Sequence, residues 1–168
     1  MRVVYLDFDG VLHPADVWLE KGGYMRLGTL YQGHALFEHA ELLAALLEPH
    51  DDVKVVLSTS WVWGLGFNQA LAHLPKRLSV KVVGATFDPE RHGSGFAAVA
   101  RGYQVQGDAQ KRRLSDWIAL DDDARDWPLE DLHRLVPTDP VLGLGEPRVL
   151  KQVQAWLAAS ATVGDTPG

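Results

Sequence analysis

Cysteine is absent from the 168 residues. That excludes disulfides and every metal site built on thiolates. Also missing is any apolar run near the roughly 20 residues needed to cross a bilayer. The first apolar stretch, residues 3–6, meets Asp7 too soon for a secretory leader. A cytoplasmic location with no membrane partner is the expectation. Positive charge is in short supply: 16 Lys and Arg stand against 22 Asp and Glu, a net charge of −6. A strongly basic nucleic-acid footprint is therefore absent overall, which leaves room only for a local basic patch. Hydrophobic residues make up 46% of the chain and charged residues 23%, a balance that argues against disorder. The length suits one domain with a sizeable core.

Neither internal repeats nor low-complexity segments interrupt the chain. Short apolar, β-branched runs predict strands over residues 3–6, 53–57, 80–83 and 117–120, with a short one over 134–136. Helices are expected over 35–48, 67–74, 102–113 and 146–159. In the first of these Leu36, Ala40, Leu43 and Leu47 share a face and Pro49 stops the run. In the last, Leu150, Val153 and Leu157 form the buried stripe. Residues 14–33 carry Pro14, Gly22, Gly23, Gly28 and Gly33 among aromatics and suit a flap or hairpin. Residues 1–159 are read as a single domain and 160–168 as a flexible tail. The alternation predicts an α/β fold, an open parallel sheet with helices on both faces. Ligands of such sheets bind beyond the C-terminal ends of the strands.

Three of the expected strands end in an abrupt switch from apolar to oxygen-bearing residues. The first delivers Asp7 and Asp9, the second Ser58, Thr59 and Ser60, and the fourth Asp121, Asp122 and Asp123. A parallel sheet brings all three to one edge. Carboxylates crowded there persist only if a cation neutralises them. All-oxygen ligands favour a hard cation, with Mg²⁺ first. Residues i and i+2 of an extended chain point the same way, so Asp7 and Asp9 can share a task while Phe8 enters the core. One carboxylate can attack phosphorus as the other protonates the leaving oxygen. Gly10 lets the chain turn away. Thr59, with Ser60 beside it, can offer a hydroxyl and a backbone N–H to a phosphate oxygen. Arg101 is the chosen phosphate-holding cation, because it precedes a helix start on the active edge, where anions are favoured. Lys111, near the other end of that helix, is the alternative.

Other residues invite two readings. His13 beside Pro14 is a turn residue or a participant in the site. Lys111, Arg112 and Arg113 read most simply as a solvated helix C-terminus. Trp117 and Trp156 suit core or helix packing, whereas Trp18, Trp61, Trp63 and Trp127 fall in expected loops near the site and could stack on bases. The Gly64-x-Gly66 and Gly143-x-Gly145 fragments lack the strand–helix register of a nucleotide loop.

These residues reach a known pattern. Asp7-Phe8-Asp9-Gly10-Val11 resembles motif I of the haloacid dehalogenase (HAD) superfamily, Leu57-Ser58-Thr59 its motif II, Arg101 its motif III, and Leu120-Asp121-Asp122 its motif IV. The resemblance spans about residues 1–125 and implies a Rossmann-like fold. It implies Asp7 as covalent nucleophile, Asp9 as acid and base, and Mg²⁺ held by Asp7, the Asp9 backbone carbonyl and a motif IV aspartate, Asp121 or Asp122. More narrowly, residues 9–14, Ser58-Thr59-Ser60-Trp61 and residues 119–123 are similar to the phosphatase domain of multidomain RNA-repair proteins. The expected substrate is then a phosphate monoester, with a nucleic-acid 5′- or 3′-phosphate end favoured over a small metabolite or a phosphoprotein. Rival readings are a catalytically silent phosphate-binding module and a dehalogenase or mutase. The presence of Asp9 counts against a dehalogenase. Larger relatives insert a cap after motif I or between motifs II and III. Residues 14–52 and 61–100 leave no room for one, so an open site is expected. No stable protein partner is deducible.

Overall fold

The computed structural model describes residues 1–159; the tail expected over 160–168 lies outside the described residues. The chain runs from β1 (Arg2–Leu6) into a two-stranded antiparallel hairpin, β2 (Val17–Leu19) and β3 (Met25–Leu27). It continues through α1 (Ala40–Leu47), β4 (Val53–Leu57), and three short helices, α2 (Ser60–Leu65), α3 (Phe67–Ala72) and α4 (Lys76–Ser79). Then follow β5 (Val82–Ala85), α5 (Arg101–Lys111), β6 (Trp117–Asp121), β7 (Leu135–Pro137) and α6 (Pro147–Ala159). Among the described residues, five strands form one parallel sheet in the order β5-β4-β1-β6-β7. The expected Rossmann-like α/β architecture is borne out. No helix among the described residues is long and apolar enough to cross a membrane.

Strand alternation sorts the core into two layers. Val4, Leu6 and Phe8 join Val55, Leu57, Ile118 and Leu120 on one face, packed against Leu43 and Leu47 of α1 and Val149, Val153 and Leu157 of α6. Val3, Tyr5, Val56 and Ala119 lie on the other, under Val105 and Ala109 of α5 and beside Trp127. Asp7 continues the Val3–Tyr5 parity, so it belongs to the face that α5 covers. That is why the first residue of α5, Arg101, can reach it. Two devices seat α5. Tyr5, fully buried, donates to Asp108 Oδ2 at 2.8 Å, and Arg112 Nε donates to the same oxygen at 2.6 Å. At the other end, Gly102 lies so close to the Trp127–Pro128 turn that a Cβ would stand 2.7 Å from Pro128 Cδ and 2.8 Å from Trp127 Cα.

Several boundaries differ from expectation for local reasons. The helix expected from residue 35 begins at Ala40, because Phe37 adopts φ 60° and interrupts the helical path. The strand expected over 80–83 is Val82–Ala85, since Pro75 and Val80 cap the two ends of α4 and Val80 is taken up there. The helix expected to run to Arg113 ends at Lys111, and Arg113 takes φ 55°. The helix α2 was not expected. Thr59 Oγ1 accepts the Trp61 N–H at 3.4 Å and caps it, so Ser60 and Trp61 are helical and not loop residues.

The Gly102 contact generates a first prediction. Gly102→Ala should destabilise the chain by about 1–3 kcal/mol through overpacking, read as a lower melting temperature. A melting temperature equal to the unsubstituted chain's would show that the Trp127 turn yields freely.

Candidate active site

Leu6 pairs with Leu57 on one side and Leu120 on the other. The following residues, Asp7, Ser58 and Asp121, therefore emerge on one level. The ladder still holds there: Asp7 N–H donates to Leu120 O at 3.1 Å and Ser58 N–H to Leu6 O at 2.8 Å. Asp7 is 5% exposed and Asp121 1%. One carboxylate oxygen each from Asp7, Asp121 and Asp122 lies within 4.8 Å of the others. Gly10 makes this approach possible. It turns the chain at φ 76°, and a Cβ there would stand 2.5 Å from Asp122 Cγ.

Arg101 enters this cluster from the start of α5. Its Nη1 donates to the Ser58 carbonyl, Nη2 stands 3.7 Å from Asp7 Oδ2, and Nε 3.4 Å from Asp121 Oδ2. The alternative, Lys111, is exposed and ten residues further along α5, about 15 Å at 1.5 Å per residue. Thr59 is buried at the same edge, with Ser60 half-buried beside it.

Asp9 lies outside the trio. Its Oδ1 accepts the Trp61 indole N–H at 2.8 Å and stands 2.9 Å from His13 Nε2. The expectation for Asp9 at a cation concerns its backbone carbonyl, not this carboxylate. Asp123 also faces elsewhere, in a two-pronged pair with Arg125 at 2.8 Å. Of the four tryptophans expected in loops, Trp61 is fully buried and Trp127 is 5% exposed, so neither can stack on a ligand. Trp127 instead donates to the Asp123 carbonyl at 2.8 Å. Trp18 and Trp63 remain exposed. The role of Trp61 was not expected, and nothing in its spacing announces a bond to a residue 52 positions away. His13 had a hint in its i,i+4 distance from Asp9.

Burial pushes the Asp7 carboxyl from 3.8 up to about 7; Arg101 and the Phe8 N–H pull it down, while Asp9 and Asp122 push it further up. Burial, and then Asp7, drives Asp121 well above its ordinary value. Burial also raises Asp122. Burial weakens the Arg101 charge, but Asp7, Asp121 and Asp122 more than offset it and its pKa rises. One guanidinium, at distances longer than the 2.7–3.2 Å of N–H···O bonds, undercompensates three carboxylates. The donors are all hard anionic oxygens, the set that suits Mg²⁺.

Residues 3–149 match the family described as the HAD domain in Swiss Army Knife RNA repair proteins. The chain belongs to that HAD family. No curated protein matches it. HAD membership carries phosphohydrolase chemistry at the coarse level, and HAD domains typically use a divalent metal. Asp7, Asp121 and Asp122 are together here, with Arg101 set against Asp7 and Asp121.

The carboxylates generate a prediction about pH. Folded Asp7 keeps its proton up to about pH 7, whereas unfolded chain releases it near 3.8. Its contribution is therefore complete below pH 3.8 and lost as pH rises through 7. Without divalent cation, melting temperature should fall between about pH 5 and pH 8, and Asp7→Asn should blunt the fall. Mg²⁺ should stabilise more at about pH 8 than at pH 5, because its ligands must first lose protons. Melting curves at both pH values check this. Greater stabilisation at the lower pH would contradict it.

Proposed function

We propose that this chain is a magnesium-dependent phosphomonoesterase working through a phosphorylated Asp7. The observation that carries the proposal is the buried trio of Asp7, Asp121 and Asp122 with Arg101 set among them. Bound to Asp7, the Asp9 carbonyl and Asp121 or Asp122, Mg²⁺ would supply positive charge to the phosphoryl oxygens and offset the carboxylates. An Asp7 oxygen attacks phosphorus in line as the ester P–O bond breaks, and Asp9 gives its proton to the leaving oxygen. Water then attacks the phosphorus of the aspartyl phosphate and passes a proton to Asp9. Free phosphate and Asp7 are released. Arg101 and the Thr59 N–H and hydroxyl hold the phosphoryl oxygens, with Ser60 adjacent.

The predicted activity is hydrolysis of phosphate monoesters that needs Mg²⁺ or Mn²⁺ and stops in excess EDTA. Asp7→Asn should abolish turnover, and Asp9→Asn should cost about 10²–10⁴-fold. Arg101→Ala should cost far more than Lys111→Ala. Beryllofluoride should attach to Asp7. Wild-type turnover by Asp7→Asn, or full activity in EDTA, would refute the reading.

The substrate we favour is the phosphorylated end of a nucleic acid. A cavity of about 350 Å³ opens beside Arg101, lined by Trp63, Ala100, Asp123 and Arg125. A second, holding Phe87, Pro89 and His92, is also lined by Trp63. The exposed indole that lines both offers a surface for a base, and Arg125, although paired with Asp123, carries an 85% exposed guanidinium within reach of a phosphate. Lys76 and Arg77 lie away from the site, because α4 leads into β5 and so sits at the opposite edge of the sheet. The family description points the same way. Trp63→Ala should lower kcat/KM for a phosphorylated oligonucleotide by about tenfold, the loss of one stacked base. The same variant should act little on a sugar phosphate. Preference of the unsubstituted chain for a sugar phosphate, a mononucleotide or a phosphopeptide would defeat the substrate proposal and spare the phosphatase.

A further inference from the structure

We propose that His13 and Trp61 are positioning residues that fix Asp9 as the proton donor to the leaving group. The proposal rests on the phosphatase reading above. Two donors reach the same oxygen: Trp61 Nε1 at 2.8 Å and His13 Nε2 at 2.9 Å from Asp9 Oδ1. His13 and Trp61 are both fully buried. The direction of the histidine bond follows from its other nitrogen. His13 Nδ1 accepts the Phe37 backbone N–H at 3.0 Å, so that nitrogen bears no proton. The ring proton therefore sits on Nε2 and points at Asp9.

Two donors on Oδ1 favour electron density there. When Asp9 carries a proton, that proton belongs on Oδ2, the oxygen to which no hydrogen bond is found among the described residues. Rotation about the carboxyl bond would break both contacts, so Oδ2 is held in one direction. In the step this serves, the ester P–O bond breaks, its electron pair stays on oxygen, and the Oδ2 proton moves to that oxygen. The returning carboxylate later takes a proton from the attacking water.

The setting is built with care for this bond. Phe37 adopts φ 60°, which a residue with a Cβ rarely does, and its N–H meets His13. Its ring packs edge-on to His13, Trp61 and Phe8 at 4.8, 5.1 and 5.1 Å. A short loop returns His13 to Asp9, with Gly10 N–H donating to His13 O at 2.9 Å. Core packing alone would be met by any rings of this size; the two N–H groups on one carboxylate oxygen are what it leaves unexplained.

The test compares a good and a poor leaving group. Nitrophenolate departs without a proton, whereas an alkoxide needs one. Trp61→Phe keeps a ring and removes the N–H; His13→Leu removes the second donor and His13→Gln retains one. Trp61→Phe and His13→Leu should lower kcat/KM for an alkyl phosphate about tenfold more than for p-nitrophenyl phosphate, a share of the usual acid–base contribution. His13→Gln should recover most of the difference. Equal losses on both esters, or His13→Gln no better than His13→Leu, would overturn the proposal. Should His13→Leu fail to fold, the Trp61 indole resonance in ¹⁵N-labelled protein decides whether the bond exists. It should move on Asp9→Asn, and a fixed resonance overturns the proposal. Hydrolysis of neither ester by the unsubstituted chain with Mg²⁺ would bring down the phosphatase reading and this proposal together; equal losses bring down this proposal alone.

Discussion

Leu6 lies between Leu57 and Leu120 on one rung of the sheet, and the residues after them inherit that level. From this register comes a severe electrostatic constraint. Full charges within 4.8 Å of one another repel by at least about 3.5 kcal/mol per pair at an effective dielectric near 20. Three such pairs rival the whole stability of an ordinary domain, about 5–15 kcal/mol. The edge can bear the cluster only if protons are retained, if Arg101 compensates, or if a divalent cation binds. The raised Asp7 and Asp121 carboxyls express the first route. The Arg101 contacts express the second, incompletely. The third is what the donor set suits. Any divalent cation bound there would be coupled to fold stability through the same oxygens.

Arg101 depends in turn on how α5 is seated. No side chain caps that helix, so its start is placed by contacts elsewhere. Asp108, bonded to Tyr5 from beneath and to Arg112 just past the helix end, fixes the far end. Gly102 lets the near end settle on the Trp127 turn. That turn is itself tied to the Asp123 carbonyl, one residue past the Asp122 carboxylate. The cation and the acids it faces are therefore held by one interlocked loop and helix.

What was legible in the sequence follows from the range of each interaction. Asp7, Ser58 and Asp121 each end an apolar run, and in a parallel sheet run ends align, so local pattern sufficed. Arg101 was legible because a helix start on the same edge is a topological consequence. The aromatic wall around Asp9 was not. Trp61 looked like a loop residue, because nothing marked Thr59 as the cap of a six-residue helix. Phe37 scored as helical from its neighbours, although its bond to His13, 24 residues away, takes its N–H out of any helix. Such long-range bonds leave no periodic trace. The short helix α4 displaced the third expected strand for a similar reason: a β-branched run reads alike at a helix end and in a strand.

Asp7 and Asp9 are two residues apart in one short segment, yet their surroundings differ. Around Asp7 stand carboxylates and a guanidinium, a setting in which its charge is costly without a cation and well matched once one is bound. Around the Asp9 carboxylate stand two N–H donors in an apolar, aromatic wall. A cap that closes over the substrate would exclude water from both. Here residues 14–52 contribute a hairpin and one helix, and 61–100 short helices and a strand, so neither segment builds a separate roof. Shielding on the acid's side must come from below, and the buried rings of Phe8, His13, Phe37 and Trp61 supply it. The wall holds one oxygen of Asp9 through two N–H groups and buries the rings that carry them.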